Sequence, residues 1–376
     1  MKCIIGRIVC ALTALGLTLS AQAKEPTVSE PKSAGTKKAE METLNYWSRE
    51  LIAAATALVM ADDRPEKPSA VEPDTGTPES TPGGEANPDS ESIHRLFYPD
   101  DWSAVPKMDG GALYAEGLSL NSVATASGVP AMGSPGVYTY YPVNEKSQLW
   151  TLYPHRWMGK FTFSTPQGNG SCTATAISNN HIVTAAHCVY DTWNNTWHSN
   201  KAFTPAYRNG STPYGIFATT GCTILAAWAN LSGSFSINNW SRYDVAVCNA
   251  GTNSAGQTLN QAVGWAGRSW NHPYNQVHFN GGYAALDYND IWLPNPAQYL
   301  LSCTAESFQQ ATDVLGMGCQ YGRGVSGGSW LKDYKANYPS GYVNAVNSGL
   351  YIGAPNLYGP RFSSGNIVLI CNATGC

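Results

Sequence analysis

The sequence contains one serine set closely among glycines, in the run Gly324-Val325-Ser326-Gly327-Gly328. Glycine lets a backbone turn sharply and approach a ligand closely. A serine on such a turn can present its hydroxyl while neighbouring N–H groups point at the same place. Acyl transfer requires this arrangement, since a nucleophile must lie beside donors for the oxyanion that develops. A Gly/Ser loop without chemistry is the alternative interpretation of the run.

A serine nucleophile needs a general base, and all seven histidines of the chain precede Ser326. This order excludes the α/β-hydrolase fold, in which the histidine follows the serine of Gly-x-Ser-x-Gly. We select His187, because an apolar strand leads through two alanines into it and Cys188 follows. A lone histidine in such a place is more often structural, but the serine turn favours a catalytic role.

A carboxylate should orient the imidazole. Asp244 is the candidate, because it stands at the head of an apolar strand, where burial would force it to find a partner. The alternatives lie among polar turn residues and are Asp191, Asp287 and Asp290.

Three motifs, taken in this order, resemble those of the chymotrypsin-like (trypsin-like) secreted serine endopeptidases. They are Thr184-Ala185-Ala186-His187-Cys188, Asp244-Val245-Ala246 and Gly324-Val325-Ser326-Gly327-Gly328. The resemblance covers about residues 136–376. Within that superfamily the chain is most similar to the bacterial glutamyl-endopeptidase branch, through Val277 to Tyr283, the pair Cys303 and Cys319, and Val346-Asn347-Ser348-Gly349.

The resemblance implies an all-β fold of two packed antiparallel six-stranded β-barrels, about 134–255 and 256–376, with the site between them. It implies that Ser326 is the nucleophile, His187 the base and Asp244 its orienting acid. The oxyanion hole would be formed by the N–H groups of Gly324 and Ser326. The substrate pocket would be lined by Gln320, Tyr321, Asn347, Ser348 and Gly349. We expect neither a cofactor nor a metal.

The sequence departs from the pattern of known relatives at two positions. Val325 stands where animal trypsins have an aspartate that pairs with a freed N-terminus, so activation by that ion pair is not available. Asn347 stands where glutamyl endopeptidases have a histidine, so glutamate selectivity is not expected. Because residues 320–323 include no acid, selectivity for arginine or lysine is not expected either.

The cysteines indicate an exported, oxidised protein. Eight of the ten lie after the predicted signal peptide, and an even number in an exported chain implies disulfides. A zinc site is the rival interpretation, but no Cys-x-x-Cys pair occurs. The resemblance suggests the pairs Cys172–Cys188, Cys222–Cys248, Cys303–Cys319 and Cys371–Cys376.

Residues 1–23 are typical of a secretory signal peptide, with Lys2 and Arg7 before an apolar stretch and Ala21-Gln22-Ala23 at its end. Residues 24–133 are predicted to form a pro-segment, with an unordered start, a helix near 38–61 and a flexible acidic Pro-rich linker over 62–93. The first 133 residues carry 18 acidic and 11 basic side chains, whereas residues 134–376 carry 8 acidic and 11 basic ones. This asymmetry supports the division into a leader and a peptidase domain, 134–376.

Composition agrees with a secreted β-protein. Only 13% of the 376 residues are charged, and glycine, tyrosine and tryptophan are abundant. A net charge of −4 provides no basic field for nucleic acid, and no later apolar run is long enough to span a membrane. We expect an extracellular or periplasmic monomer that acts on proteins or peptides. The alternatives are a non-catalytic binding module or adhesin, and an esterase on the same scaffold.

Local patterns add three expectations for the body. Asn-Gly pairs at Asn169, Asn209 and Asn280 favour tight hairpin turns. The apolar run from Ile367 to Ile370 is interpreted as a buried strand. The C-terminal helix that the resemblance would imply is not evident, and Cys371 to Cys376 is expected to close the chain.

Overall fold

The computed structural model describes residues 26–31, 36–57, 76–86, 138–143, 148–231, 236–335 and 339–376. The predicted signal peptide, and most of the predicted linker over 62–93, lie outside this part of the chain. In the described part no helix is both long and apolar enough to cross a membrane.

Strands dominate the described residues. In chain order they are β1 (Thr27–Ser29), β2 (Thr56–Ala57), β3 (Glu79–Thr81), β4 (Thr139–Pro142), β5 (Met158–Thr165), β6 (Gly168–Ile177), β7 (His181–Thr184), β8 (Tyr190–Asp191), β9 (Thr196–Trp197), β10 (Ser199–Pro205), β11 (Phe217–Leu225), β12 (Ala246–Ala250), β13 (Gly267–Trp270), β14 (Val277–Gly282), β15 (Leu301–Glu306), β16 (Phe308–Ala311), β17 (Val314–Gly318), β18 (Ser329–Lys332), β19 (Tyr342–Val346) and β20 (Asn356–Pro360). The α-helices are α1 (Lys37–Tyr46), α2 (Arg49–Ala54), α3 (Ala226–Ala229), α4 (Ile237–Trp240), α5 (Leu259–Val263) and α6 (Ile367–Thr374).

Six strands form a closed antiparallel barrel. Around it β5, β6, β7, β12, β11 and β10 follow one another, and β10 pairs again with β5. The alternating pattern of β5 buries Phe161 and Phe163, which pack with Phe203 of β10 in the main core. Closure pairs each of the six strands with two neighbours, so hydrogen bonds between strands continue around the barrel, and only strand ends that extend beyond these pairings keep a free edge.

The second half of the body consists of two sheets. In the larger one β15, β14, β18 and β19 are neighbours, and in the smaller one β17 pairs with β16 and β20. A second core cluster fills the space among these strands and includes Leu315, Met317, Trp330, Ala345 and Leu357. The all-β fold class predicted from the sequence is confirmed.

All four disulfides suggested by the resemblance are present: Cys172–Cys188, Cys222–Cys248, Cys303–Cys319 and Cys371–Cys376. The first joins β6 to the turn that carries His187. The second joins residues that face each other directly on β11 and β12.

The prediction of a terminal strand is wrong, because residues 367–374 form the helix α6. Its buried residues are Ile367, Ile370 and Cys371, which is the i, i+3, i+4 spacing of a helix with one buried face. The Asn366 side chain accepts a hydrogen bond from the Ile367 N–H and caps the helix. Hydrophobicity alone does not distinguish a buried strand from a buried helix here. The i, i+3, i+4 spacing of the buried residues is the sequence signal that indicates the helix.

One of the three predicted Asn-Gly turns is present. Asn209 and Gly210 both have positive φ and form a tight turn between Arg208 and Ser211. The other two predictions are wrong, because Asn169 lies in β6 and Asn280 in β14. The following glycines there serve close approach instead, since a Cβ on Gly170 would lie 2.6 Å from the Phe163 ring.

Parts of the predicted leader pack on the body. The helix predicted near 38–61 is divided, because the Ser48 hydroxyl caps a new helix by accepting from the Leu51 N–H, and it ends before β2. In segments predicted to be unordered or linker, β1 pairs with β11 and β3 pairs with β13. These short strands need no core of their own, because they complete backbone hydrogen bonds of existing sheets.

Truncating Ile52 in α2 should destabilise the chain that still carries residues 24–133. Ile52 is fully buried in the core cluster that also contains barrel residues. Ile52→Ala should lower the free energy of unfolding by about 2–5 kcal/mol, because it leaves a cavity. The neighbouring Leu51→Ala, at a side chain 37% exposed, is the matched control and should cost little. Denaturant unfolding measures both, and equal small effects would show that α2 does not unfold together with the barrel.

Lys160 makes the stability of the protein depend on pH. This fully buried side chain on β5 donates from Nζ to the Ala55 carbonyl over 3.4 Å and lies 5.2 Å from the Tyr207 ring. No carboxylate of the described residues forms an ion pair with it. Burial lowers the pKa of Lys160 from its ordinary value of 10.5 to about 7.

Between pH 7 and 10.5 the folded state therefore binds fewer protons than the unfolded state, so stability rises with pH in this window. Lys160→Met should be more stable than the wild type at pH 6. Its advantage should shrink by an amount on the order of 4 kcal/mol towards pH 10. The measurement is the difference in unfolding free energy between the two proteins at pH 6, 8 and 10. A difference that does not vary with pH would contradict the burial of an amine that has no carboxylate partner.

Candidate active site

His187 and Asp244 meet at one end of the barrel. His187 lies in a turn just after β7, and Asp244 lies just before β12, which pairs with β7. Asp244 Oδ1 accepts from the backbone N–H of His187 at 2.9 Å, and Oδ2 lies 2.7 Å from His187 Nδ1. Both residues are buried. A carboxylate held in this way fixes the ring and its tautomer, with the proton on Nδ1 and a lone pair on Nε2.

A third group completes the surroundings of the Asp244 carboxylate. The Ser348 hydroxyl donates to Oδ2 at 2.5 Å. The carboxylate thus accepts three hydrogen bonds, which compensates its burial. Ser348 was predicted to line the substrate pocket, and sequence reasoning missed this contact because nothing local links the two positions.

The other ring nitrogen of His187, Nε2, is buried and makes no hydrogen bond to any residue that the structure describes. The Cys172–Cys188 disulfide and the Trp228 ring, with its centroid 6.5 Å from that of the imidazole, lie beside the ring. The two sulfur atoms lie close enough to Nδ1 or Nε2 to suggest a metal cluster, but they are bonded to each other and are not free thiolates.

The turn that carries Ser326 packs directly against β6 and the end of β7. The Thr173 N–H donates to the Ser326 carbonyl at 2.7 Å, and the Gly327 N–H donates to the Asn347 carbonyl at 2.7 Å. Gly327 has φ +79°, and a Cβ there would lie 2.1 Å from Thr184 Oγ1. Glycine is required at this position by both the backbone conformation and the close approach. The structure thus brings the Ser326 turn to the end of β7.

Two N–H groups of this turn are held so that they face away from the protein interior. The Arg323 carbonyl accepts from the Ala285 N–H, and the Val325 carbonyl accepts from the Gly328 N–H. In a trans peptide the N–H points opposite to the C=O, so the N–H groups of Gly324 and Ser326 point away from these anchors. Neither N–H donates a hydrogen bond within the described residues. The arrangement can bind an anion such as a developing oxyanion.

The predicted pocket residues divide into two groups. The polar atoms of Tyr321 and Asn347 face inward, because the Tyr321 hydroxyl donates to Asn280 and the Asn347 amide bonds inside the protein. Burial raises the pKa of the Tyr321 phenol well above its ordinary value of 10. Gln320 Oε1 is buried without a partner in the described part, and Gly349 is partly exposed beside Trp240. Two amide side chains, those of Gln320 and Asn347, were predicted to line the pocket. Of these two, only Gln320 has an amide oxygen without a hydrogen bond in the described part.

The alternative acids are not brought to His187. Asp191 and Asp287 accept backbone N–H groups of their own turns, and Asp290 pairs with Arg323 at 2.6 Å. Of the four acids considered, Asp244 is the one that hydrogen-bonds to His187, as expected for an acid at the head of a buried strand.

A cavity of about 400 Å³ lies beside His187. Its walls include Trp228 of α3, His198 between β9 and β10, and Thr56 of β2. The His198 ring stacks on Phe163, and burial lowers the pKa of His198 from 6.5 to about 4, so this histidine is neutral at physiological pH. Nothing in the sequence indicates this cavity, because Thr56 and Ala57 of the predicted leader supply part of its wall.

Comparison with known proteins gives partial matches. Residues 150–215 match the trypsin family, a segment that includes His187 and ends before Asp244. A segment of 78 residues is 32% identical to the glutamyl endopeptidase of Bacillus licheniformis, which covers 21% of this chain and 23% of the relative. The chain thus matches about a quarter of the length of this curated relative.

Two solved proteases are similar over 58% of this chain. The protease Anisep from Arthrobacter nicotinovorans is 26% identical over 94% of its own length, with a TM-score of 0.49. The thermostable serine protease AL20 from an extremophilic microorganism is 27% identical over 97% of its length, with a TM-score of 0.47. From the family and sequence matches, the predicted resemblance to trypsin-like serine proteases related to glutamyl endopeptidases is confirmed.

Proposed function

We propose that this chain is an exported serine endopeptidase that cleaves peptide bonds through an acyl-enzyme. One observation carries the proposal: Asp244 binds both the backbone N–H and Nδ1 of His187, while Nε2 makes no hydrogen bond within the described residues. The turn that carries Ser326 packs against the end of β7, just before His187. The trypsin-like segment and the similarity to a glutamyl endopeptidase support the same chemistry.

In the proposed mechanism Ser326 Oγ attacks the carbonyl carbon of the scissile bond as His187 Nε2 takes the hydroxyl proton. The carbonyl π electrons move onto oxygen, and the N–H groups of Gly324 and Ser326 stabilise that oxyanion. The C–N bond then breaks, and His187 gives its proton to the leaving amine. A water molecule then attacks the acyl carbon as His187 takes its proton. The bond to Ser326 Oγ breaks, His187 returns the proton to Oγ, and the carboxylic acid is released. Asp244 holds the tautomer and stabilises the imidazolium throughout.

We propose a neutral primary pocket. Residues 320–323 include no carboxylate to bind arginine or lysine, and the Asn347 amide is engaged inside the protein. Gln320 remains as a polar group for a neutral side chain, because its buried Oε1 is without a partner in the described part.

We also propose export followed by removal of the leader, residues 24–133. The predicted signal peptide and four disulfides support export. Thr56 and Ala57 line the cavity beside His187, so the leader narrows access to the site. N-terminal sequencing tests this, because a fully active secreted protein that begins at Lys24 would contradict removal.

The test of the activity is digestion of a mixed peptide library by the secreted protein, with cut sites read by mass spectrometry. Cuts that disappear in Ser326→Ala would establish a serine endopeptidase, and the residue before each cut defines the pocket. Hydrolysis of a short aromatic ester without peptide cuts would indicate an esterase. Neither reaction, from folded and trimmed protein, would indicate a binding module.

A further inference from the structure

The Asn347 side chain lies behind the Ser326 turn, fully inside the protein. Its Nδ2 donates to the Val325 carbonyl at 3.1 Å and to Asn280 Oδ1 at 3.0 Å. Its Oδ1 accepts from Asn280 Nδ2 at 2.6 Å and from Trp330 Nε1 at 2.7 Å. Asn347 is 1% exposed, and Asn280 and Trp330 are completely buried.

These contacts use the whole hydrogen-bonding capacity of the amide, which has two donors and two acceptor sites. They also fix which way the amide faces. An indole N–H only donates and a carbonyl only accepts, so the oxygen must face Trp330 and the nitrogen must face Val325. No group of Asn347 is left to meet a substrate side chain.

The contact with Val325 determines the direction of the next N–H. The Val325 carbonyl accepts from Asn347 Nδ2 and from the Gly328 N–H at 2.7 Å. The peptide between Val325 and Ser326 is trans, so a carbonyl turned towards the interior points the Ser326 N–H the opposite way. That N–H makes no hydrogen bond within the described residues.

We propose that Asn347 is a positioning residue, which holds the peptide between Val325 and Ser326 so that the Ser326 N–H faces the oxyanion of the substrate. This inference rests on the proposed peptidase function. It replaces the predicted role of Asn347 in the substrate pocket, because the side chain acts on the nucleophile turn and touches no substrate. The reciprocal amide pair with Asn280 and the Trp330 N–H prevent Asn347 from turning away.

The test compares Asn347→Leu with a matched variant on the same strand, Asn344→Leu. Asn344 is equally buried at 1% exposed, and its amide bonds to Ser269 and His278, away from the Ser326 turn. Asn347→Leu should lower kcat on a peptide substrate about 100-fold, within the range for loss of an oxyanion donor, with KM nearly unchanged. Asn344→Leu should keep kcat within a few-fold of the wild type.

Two further readouts separate positioning from general damage. The Ki of a peptide boronic acid, which forms a tetrahedral adduct on the serine, should rise by about the factor by which kcat falls. The pH profile of kcat/KM should keep its shape, since His187 and Asp244 are untouched. If Asn347→Leu does not fold, Trp330→Phe serves instead. It removes the donor that orients Asn347 and should lower kcat about tenfold.

An unchanged kcat in Asn347→Leu, equal losses in both leucine variants, or a loss confined to KM would overturn the inference. Labelling of wild-type Ser326 by a fluorophosphonate is the separate test of the proposed function. If the wild type is labelled and cuts peptides, a negative result refutes only the role of Asn347. If it does neither, the proposed function fails and this inference fails with it.

Discussion

Replacing Ser326 with alanine is expected to lower kcat for peptide hydrolysis by about a million-fold, as for other serine nucleophiles. Without Oγ no acyl-enzyme can form, and the residual rate comes from binding and oxyanion stabilisation alone. The fold should survive, because the described hydrogen bonds of Ser326 involve its backbone carbonyl and not its hydroxyl. The measurement is turnover of a peptide identified in the library digest.

The strand that follows the turn, β18, supplies the control. Ser329 lies three residues later, and its buried Oγ accepts from the Thr175 hydroxyl at 2.9 Å. Ser329→Ala removes a hydroxyl of the same chemistry that does not face the cleft, so activity should stay within a few-fold. Wild-type turnover in Ser326→Ala, or an equal loss in Ser329→Ala, would contradict the assignment of the nucleophile.

The sequence predicted those features that depend on residue type and order along the chain. His187, Asp244 and Ser326 could be chosen because chemistry restricts each role to a few side chains and because all histidines precede the serine. The contact between His187 and Asp244 agrees with that choice. Cys172 and Cys188 could be paired through the resemblance, because Cys172 lies on the strand before His187 and Cys188 follows that histidine directly.

The features that the sequence did not predict depend on contacts between distant segments. Ser348 and Asp244 are 104 positions apart, and only the fold brings the hydroxyl to the carboxylate. Asn347 was assigned to the pocket from its place in the strand, since a pattern cannot show which way an amide faces. The leader strands β1 and β3 escaped prediction for the same reason, because their partners β11 and β13 are remote in sequence.

Asp244→Asn is expected to lower kcat about 10⁴-fold at neutral pH while leaving Ser326 in place. The carboxylate of Asp244 only accepts, from the His187 N–H, from Nδ1–H and from the Ser348 hydroxyl. In an asparagine only one of the two terminal atoms, the oxygen, accepts hydrogen bonds, and the other is an NH₂ group that only donates. If its oxygen stays on the backbone N–H of His187, its NH₂ faces Nδ1 and favours the tautomer with the proton on Nε2.

That tautomer cannot take the proton of Ser326, because Nε2 then has no lone pair to offer. The loss should therefore appear in kcat, with little change in KM or in thermal stability. Asp287→Asn is the matched control, because among the described residues the Asp287 carboxylate accepts only from N–H groups of its own turn, those of Asn289 and Ile291. A larger loss in Asp287→Asn than in Asp244→Asn would mean that the orienting acid is misassigned. A higher KM with kcat unchanged in Asp244→Asn would mean that Asp244 supports the pocket and does not act on the base. The expected pattern, a loss in kcat specific to Asp244, would tie the rate to the tautomer of one ring, which is what the two bonds between Asp244 and His187 are placed to control.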